Sequence, residues 1–279
     1  MSMKPIIQRS IFFSTVAMMG FSFFVSCDNI PEADRIIPAE RPKAVRKILI
    51  QEFTGIRCLN CPNAAKSLHE FQESEDGDSA IVVAIHPSTS NFSDEYGGFY
   101  LATKTGGEYF DYYKGNELPA AVINQGEINT TVATWIGNAL VSWSKEPVLD
   151  IDLSVTYDET SHKAVASYFI DFKQAYSGDD MSVLVWITES NIIGKQTMED
   201  GRWNRKYEFN HIFRASLNGT WGTSIGDSFS DGQLVEGKAE IKLEEDWKPE
   251  NCEIVAFVFK TGDKSVENAE SIHLIPAQD

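Results

Sequence analysis

Cys58 and Cys61 stand two residues apart in "EFTGIRCLNCPNAAKSLHEF", residues 52–71. Two thiols at this spacing can do three things. They can exchange with another disulfide, supply half of a metal site, or close a bridge that staples a loop. A structural zinc needs about four ligands, and the sequence offers no second C-x-x-C and no paired histidines. Exchange needs a stabilised thiolate, because the thiolate is the nucleophile. The flanking residues suit that need. "KILIQEF" ahead of the pair is a short apolar strand, and "PNAAKSLHEF" after it is a helix with Ala65, Leu68 and Phe71 near one face. A helix N-terminus gathers unpaired N–H groups and the positive end of the macrodipole. Cys58 precedes that end and Arg57 adds positive charge. Cys58 is therefore expected to be the attacking thiol, and Cys61, one turn further in, the resolving and less exposed one. Pro62 falls in the first turn, where a missing N–H costs little.

The N-terminus sets the compartment. Lys4 and Arg9 are followed by the apolar run "SIFFSTVAMMGFSFFVS", Ser10 to Ser26, and then by Cys27. This is the order of a secretory signal, residues 1–26. "FFVSC" resembles a bacterial lipobox, with Phe24 in place of the usual Leu, so Cys27 is the expected lipid-bearing N-terminus. The alternative is an ordinary signal with a chance cysteine. Residues 27–45 hold Pro31, Pro38 and Pro42 among charges and show no periodicity, as a tether should. Export places the remaining cysteines where disulfides persist. The formal charge is −17. Without residues 1–26, which carry Lys4, Arg9 and no acid, 22 basic residues face 41 acidic ones, a net of −19. Such a chain repels nucleic acid, and solubility outside the cell accounts for the excess.

Two patterns divide the rest. From residue 46 to 146 strands alternate with helices: "SAIVVAIHP" is a buried strand, "LPAAVINQG" another, and "TVATWIGNALVSW" a closing helix. Residues 88–117 form a Gly-rich, aromatic insertion with one helix. From 147 to 279 the period becomes two. In "VLDIDLSVTY" apolar residues alternate with Asp150, Asp152, Ser154 and Thr156, and "KAVASYFIDF", "MSVLVWI", "GKAEIKL" and "CEIVAFVFK" follow, with turns such as "YSGDD" between them. The expected fold is an α/β domain followed by an all-β antiparallel sandwich.

"ILIQEFTGIRCLNCP" resembles the active-site strand, loop and helix of the thioredoxin superfamily. The resemblance implies a buried acid at Glu52 that relays protons to Cys61, and a cis-proline at Pro119 in "NELPAAVIN", with Leu118 presenting backbone to a partner. Arg57 stands in place of that family's usual tryptophan, and Leu59-Asn60 in place of Gly-Pro. Together with the lipobox, the tether and the β-rich segments "ESNIIGKQ", "NHIFRASLNGTWG" and "AFVFKTGDKSVENAE", the chain resembles the outer-membrane lipoprotein family of Bacteroides-like bacteria named for a 28-kDa antigen. That resemblance implies a cell-envelope lipoprotein, most simply of the outer membrane, with a thioredoxin-like half and a β-sandwich half. It names no activity.

Other residues have plainer readings. Cys252 shares a strand face with Ile254, Ala256 and Val258, as a buried small hydrophobe does. His69 is a surface residue, His86 packs at a strand end, and His211 is a core-edge histidine expected to share a strand face with Phe209 and Phe213. "DGDS" and "SGDD" lack the calcium-loop pattern and are turns. Phe92, Tyr96, Phe99, Tyr100, Tyr109, Phe110, Tyr112 and Tyr113 could form a local core or a recognition surface. No metal or cofactor is expected. Two functions follow: a lipid-tethered thiol–disulfide oxidoreductase with a protein client, or a binding or adhesion lipoprotein that uses the same half as a scaffold.

Overall fold

A computed structural model describes residues 44–124 and 127–276. The signal segment, Cys27 and the tether up to residue 43 lie outside the described residues. The chain is mostly β-strand, with mixed and antiparallel sheets and few helices.

The first half begins with β1 (Ile48–Phe53), which is buried on both faces. It pairs in parallel with β2 (Ala80–Ile85) and antiparallel with β3 (Ala120–Ile123). Between β1 and β2 runs α1 (Cys61–Gln72), with Pro62 in its first turn. Its buried residues Cys61, Ala64, Leu68 and Phe71 recur at helical spacing, so the stripe runs through Ala64 and not through the half-buried Ala65. Ala64, Leu68 and Phe71 pack with Ile48, Ile50, Val82 and Ala121, and with Trp135 of α3 (Trp135–Trp143). The opposite face of β1 and β2 carries Leu49, Phe53, Val83 and Ile85. It is covered by Tyr109 and Phe110 of α2 (Lys104–Tyr112) and by residues from the second half, Leu184, Trp186 and Phe257.

That second half supplies β4 (Leu149–Asp158), β5 (Lys163–Phe172), β6 (Tyr176–Glu189) and the hairpin β7 (Ile192–Thr197)–β8 (Trp203–Phe209). It continues with β9 (Ile212–Ser216), β10 (Thr223–Phe229), β11 (Leu234–Lys242), β12 (Cys252–Lys260) and β13 (Val266–His273). A three-stranded sheet, β11-β5-β4, packs over an eight-stranded one ordered β13-β12-β6-β9-β2-β1-β3, with β10 also on β6. Strand periodicity is clean at this contact. Met181, Val183, Val185 and Ile187 of β6 and Cys252, Ile254, Ala256 and Val258 of β12 face the smaller sheet. The intervening Leu184, Trp186, Val255 and Phe257 face the first half.

The boundary expected at residue 146 does not interrupt the sheet. β2 meets β9 at Ala84↔Ile212, and the Ala84 N–H donates to the His211 carbonyl at 2.8 Å. β6 and β12 accordingly have no wet face in their central parts, which explains their nearly continuous apolar runs. "SGDD" is part of β6 rather than a turn: Ser177 and Asp179 are exposed, Asp180 is half-buried and accepts from the Ser224 hydroxyl, and Ser177 pairs with Ser228 of β10. His211 lies in the turn between β8 and β9 at φ 56°, not on one strand face with Phe209 and Phe213.

Candidate functional site

Glu52 and Cys61 are brought together by β1, the loop that leaves it, and the start of α1. In the parallel register Glu52 lies beside Ala84, so Glu52, Ala84 and the residues two further on, Thr54 and His86, share one face of the sheet. The loop is held on all sides. The Thr54 N–H donates to the Ile85 carbonyl at 2.9 Å, and the Arg57 N–H to the Phe92 carbonyl at 2.8 Å. Gly55 is required there, because a Cβ would stand 2.5 Å from the Phe92 carbonyl oxygen.

Cys58 and Cys61 form a disulfide with their Cα atoms 5.5 Å apart. The Cys61 N–H donates to the Cys58 Sγ at 3.2 Å. Both residues are only 2 % exposed, so the greater exposure expected of Cys58 is absent. The reason is β7, which sequence periodicity did not reveal. The Thr197 N–H donates to the Ile56 carbonyl at 2.8 Å, and the Gln196 side-chain amide donates to the Cys58 carbonyl at 3.0 Å and to the Gly55 carbonyl at 3.3 Å. The hairpin is fastened from outside as well. Asn63 Nδ2 donates to Glu199, Tyr96 stacks on Trp203 at 3.9 Å, and Phe99 lies where a Cβ on Gly194 would be.

Beneath the hairpin is a cavity of about 430 Å³, walled by Glu52, Cys61, His86, Lys206, Tyr207 and Phe209 among others. Cys58 is not in its wall. Glu52 is buried and its Oε1 has no hydrogen-bond partner. Burial pushes its carboxyl up to about 8, so it is protonated at neutrality. Burial, and the charge of Glu52 once ionised, push Tyr207 up to about 12. His86 is 1 % exposed, with both ring nitrogens unpartnered. Burial and then the Arg214 charge push it down to about 3, leaving a neutral imidazole.

The other expected residues divide. The Leu118–Pro119 bond is cis, and Pro119 immediately precedes β3, whose first residue pairs with Phe53 at the end of β1. Cys252 is fully buried, and burial with the Glu189 charge pushes its thiol up to about 12, so it is inert. His69 is exposed, 3.4 Å from Glu73. The aromatic segment splits: Tyr109, Phe110 and Tyr113 are core, while Phe92, Tyr96, Tyr100 and Tyr112 are exposed. Among the described residues no group of three or more His, Cys, Asp or Glu could hold a metal ion, and no helix is long and apolar enough to cross a membrane.

The family of outer membrane protein Omp28 matches residues 107–277, well over half the chain. The matched range begins after the cysteine loop. No curated protein matches by sequence. Among solved structures, HBP35 of Porphyromonas gingivalis is similar with a TM-score of 0.64 at 14% identity, over 86% of this chain and 82% of that one. That likeness is one of fold. A domain of the outer membrane lipoprotein Omp28 from Porphyromonas gingivalis is 17% identical, with a TM-score of 0.33, over 47% of this chain and 92% of that one.

Proposed function

The chain belongs to the Omp28 family of outer membrane proteins, and from that premise we propose that it is a lipid-tethered thiol–disulfide exchange protein of the outer membrane. In this reading residues 46–146 are a thioredoxin-like half and residues 147–279 a β-sandwich half. The observation that carries the redox reading is the Cys61 N–H aimed at the Cys58 Sγ at 3.2 Å, with the buried Glu52 carboxyl sharing a cavity with Cys61. When the disulfide opens, the Cys58 thiolate already has a donor, and the N–H groups of the first turn of α1 and Arg57 add positive potential. Glu52, neutral at pH 7, can give a proton to the Cys61 sulfur as that sulfur is released. The cis bond at Pro119, directly before β3, supports this reading.

The pH dependence of alkylation of the reduced chain tests this. Cys58 is expected to titrate below about 8.5, the ordinary thiol value. A Cys58 that titrates at or above it favours the second reading, a binding or adhesion scaffold with a static disulfide. The near-complete burial of both sulfurs under β7 is the observation on that side. The tether carries a separate expectation. Intact-mass measurement of membrane-extracted protein should show a chain that begins at lipid-bearing Cys27, and an unlipidated N-terminus refutes it.

A further inference from the structure

We infer that the thiol exchanging with the Cys58–Cys61 disulfide is a low-molecular-weight thiol bearing a carboxylate, admitted through the cavity beneath the β7–β8 hairpin. This rests on the exchange reading above and names its substrate class. A protein client approaching as an extended strand needs free backbone acceptors beside the disulfide. Here the carbonyls of Gly55, Ile56 and Cys58 already accept from Gln196 and Thr197 of β7. The chain's own strand occupies that place.

The cavity offers another way in. Its volume of about 430 Å³ falls in the range of small-molecule sites, roughly 300–1,000 Å³. Its wall holds three buried polar atoms with no partner, Glu52 Oε1 and the two ring nitrogens of His86. Buried polar groups are nearly always satisfied, and a polar ligand would satisfy these. Lys66 and Lys206 line the same cavity with one exposed carboxylate, Glu208; Lys66 is paired with Glu70 at 3.6 Å, which leaves Lys206 as the cation offered to a ligand, in a chain whose formal charge is −17. A carboxylate on the entering molecule suits that ammonium.

The cavity also selects the sulfur. In disulfide exchange the attacking, attacked and leaving sulfurs lie nearly in line. A thiol in the cavity stands beside Cys61, which is in its wall, and not beside Cys58, which is not, so in this inference Cys61 is the sulfur attacked and Cys58 the one that leaves. The entering thiolate bonds to the Cys61 Sγ, the Cys58–Cys61 bond breaks, and its electron pair leaves on the Cys58 Sγ, already bonded to the Cys61 N–H. A second thiolate attacks the small thiol's sulfur in that mixed disulfide. A small-molecule disulfide departs, and the Cys61 sulfur takes a proton from Glu52. Two small thiols are oxidised and one protein disulfide is reduced. The order is the reverse of the one the sequence suggests, with Cys61 attacked and Cys58 leaving.

The test uses the oxidised full chain in detergent. Reduction is followed by quenching with an alkylating mass tag, at matched thiolate concentrations. The probes are N-acetylcysteine, its uncharged amide, and a reduced unfolded protein. N-acetylcysteine should react several-fold faster than its amide at low salt and at least about tenfold faster than the protein thiol. Lys206→Glu should abolish the preference for the acid, read as the ratio of the acid rate to the amide rate within the same variant. Oxidised N-acetylcysteine should load Cys61 of the Cys58→Ser variant faster than Cys58 of the Cys61→Ser variant. A protein thiol as fast as N-acetylcysteine, an amide as fast as the acid, or faster loading of Cys58 overturns the inference while exchange itself stands. A disulfide that no thiol opens in the folded chain, dithiothreitol included, overturns the exchange reading with it.

Discussion

Glu52→Gln removes a loss of stability that the native chain suffers as pH rises from about 4.5 to about 8. Burial raises the carboxyl of the folded state to about 8 from an ordinary value of 4.5. Below 4.5 both folded and unfolded chains hold the proton, and the group contributes nothing that depends on pH. Between the two values the unfolded chain releases its proton while the folded chain keeps it, so unfolding is favoured progressively. Above about 8 the full loss is reached. A gap of this size corresponds to roughly 5 kcal/mol at most, at about 1.4 kcal/mol per pH unit. The glutamine variant has no proton to release, so its denaturant midpoint minus that of the native chain should grow steadily across this window and level off above about pH 8. The constant effect of a buried amide shifts the whole curve and not its slope. Parallel curves for the two proteins, each kept oxidised, would show that Glu52 is hydrated and refute the buried, neutral carboxyl.

The sequence made the first half legible because its signals are local. The apolar run of β1, Pro62 in the first turn of α1, and a helical stripe ending at Phe71 place the cysteine loop at a strand-to-helix junction without tertiary information. The inward residues of β4 were legible for the same reason, as a period of two, and so was the face of β12 that carries Cys252, Ile254, Ala256 and Val258. The hairpin that covers the site was not. β8 carries "WNRKYEF", of which only Phe209 is buried, so it has no core-facing alternation to find. β7 is read by contacts far away in sequence: Gln196 is buried because its amide donates to Gly55 and Cys58. A buried glutamine in a short polar segment has no periodic signature. β9 and β13 carry no periodic signal of their own either, since they are half-buried and take their place from the strands beside them; the family resemblance alone marked their segments as β. The burial of Cys58, the cavity and the unpartnered nitrogens of His86 all follow from that hairpin and from the sheet that joins the two halves.

His86→Leu should act on the acid side with the opposite sign. Burial and the Arg214 charge lower the imidazole from an ordinary 6.5 to about 3 in the folded chain. Above 6.5 both states hold it neutral. As pH falls through 6.5 the unfolded chain binds a proton that the folded chain refuses until about 3, so stability is lost progressively between those values. The span again corresponds to roughly 5 kcal/mol at most. The leucine variant cannot bind that proton, and its acid limb should be shallower, whatever constant effect repacking against Phe209 adds. The two groups share one cavity and pull in opposite directions. Glu52 penalises pH above about 4.5 and His86 penalises pH below 6.5, so their joint contribution is most favourable between those values. A variant carrying both substitutions should lose both slopes, leaving the curvature due to the exposed carboxylates. Denaturant midpoints at intervals from about pH 4 to about pH 9 separate the terms. An unchanged acid limb in His86→Leu means that the ring gains its proton in the folded state at an ordinary pH. The imidazole would then reach water through the cavity, and the cavity wall beside Glu52 would be wet rather than dry.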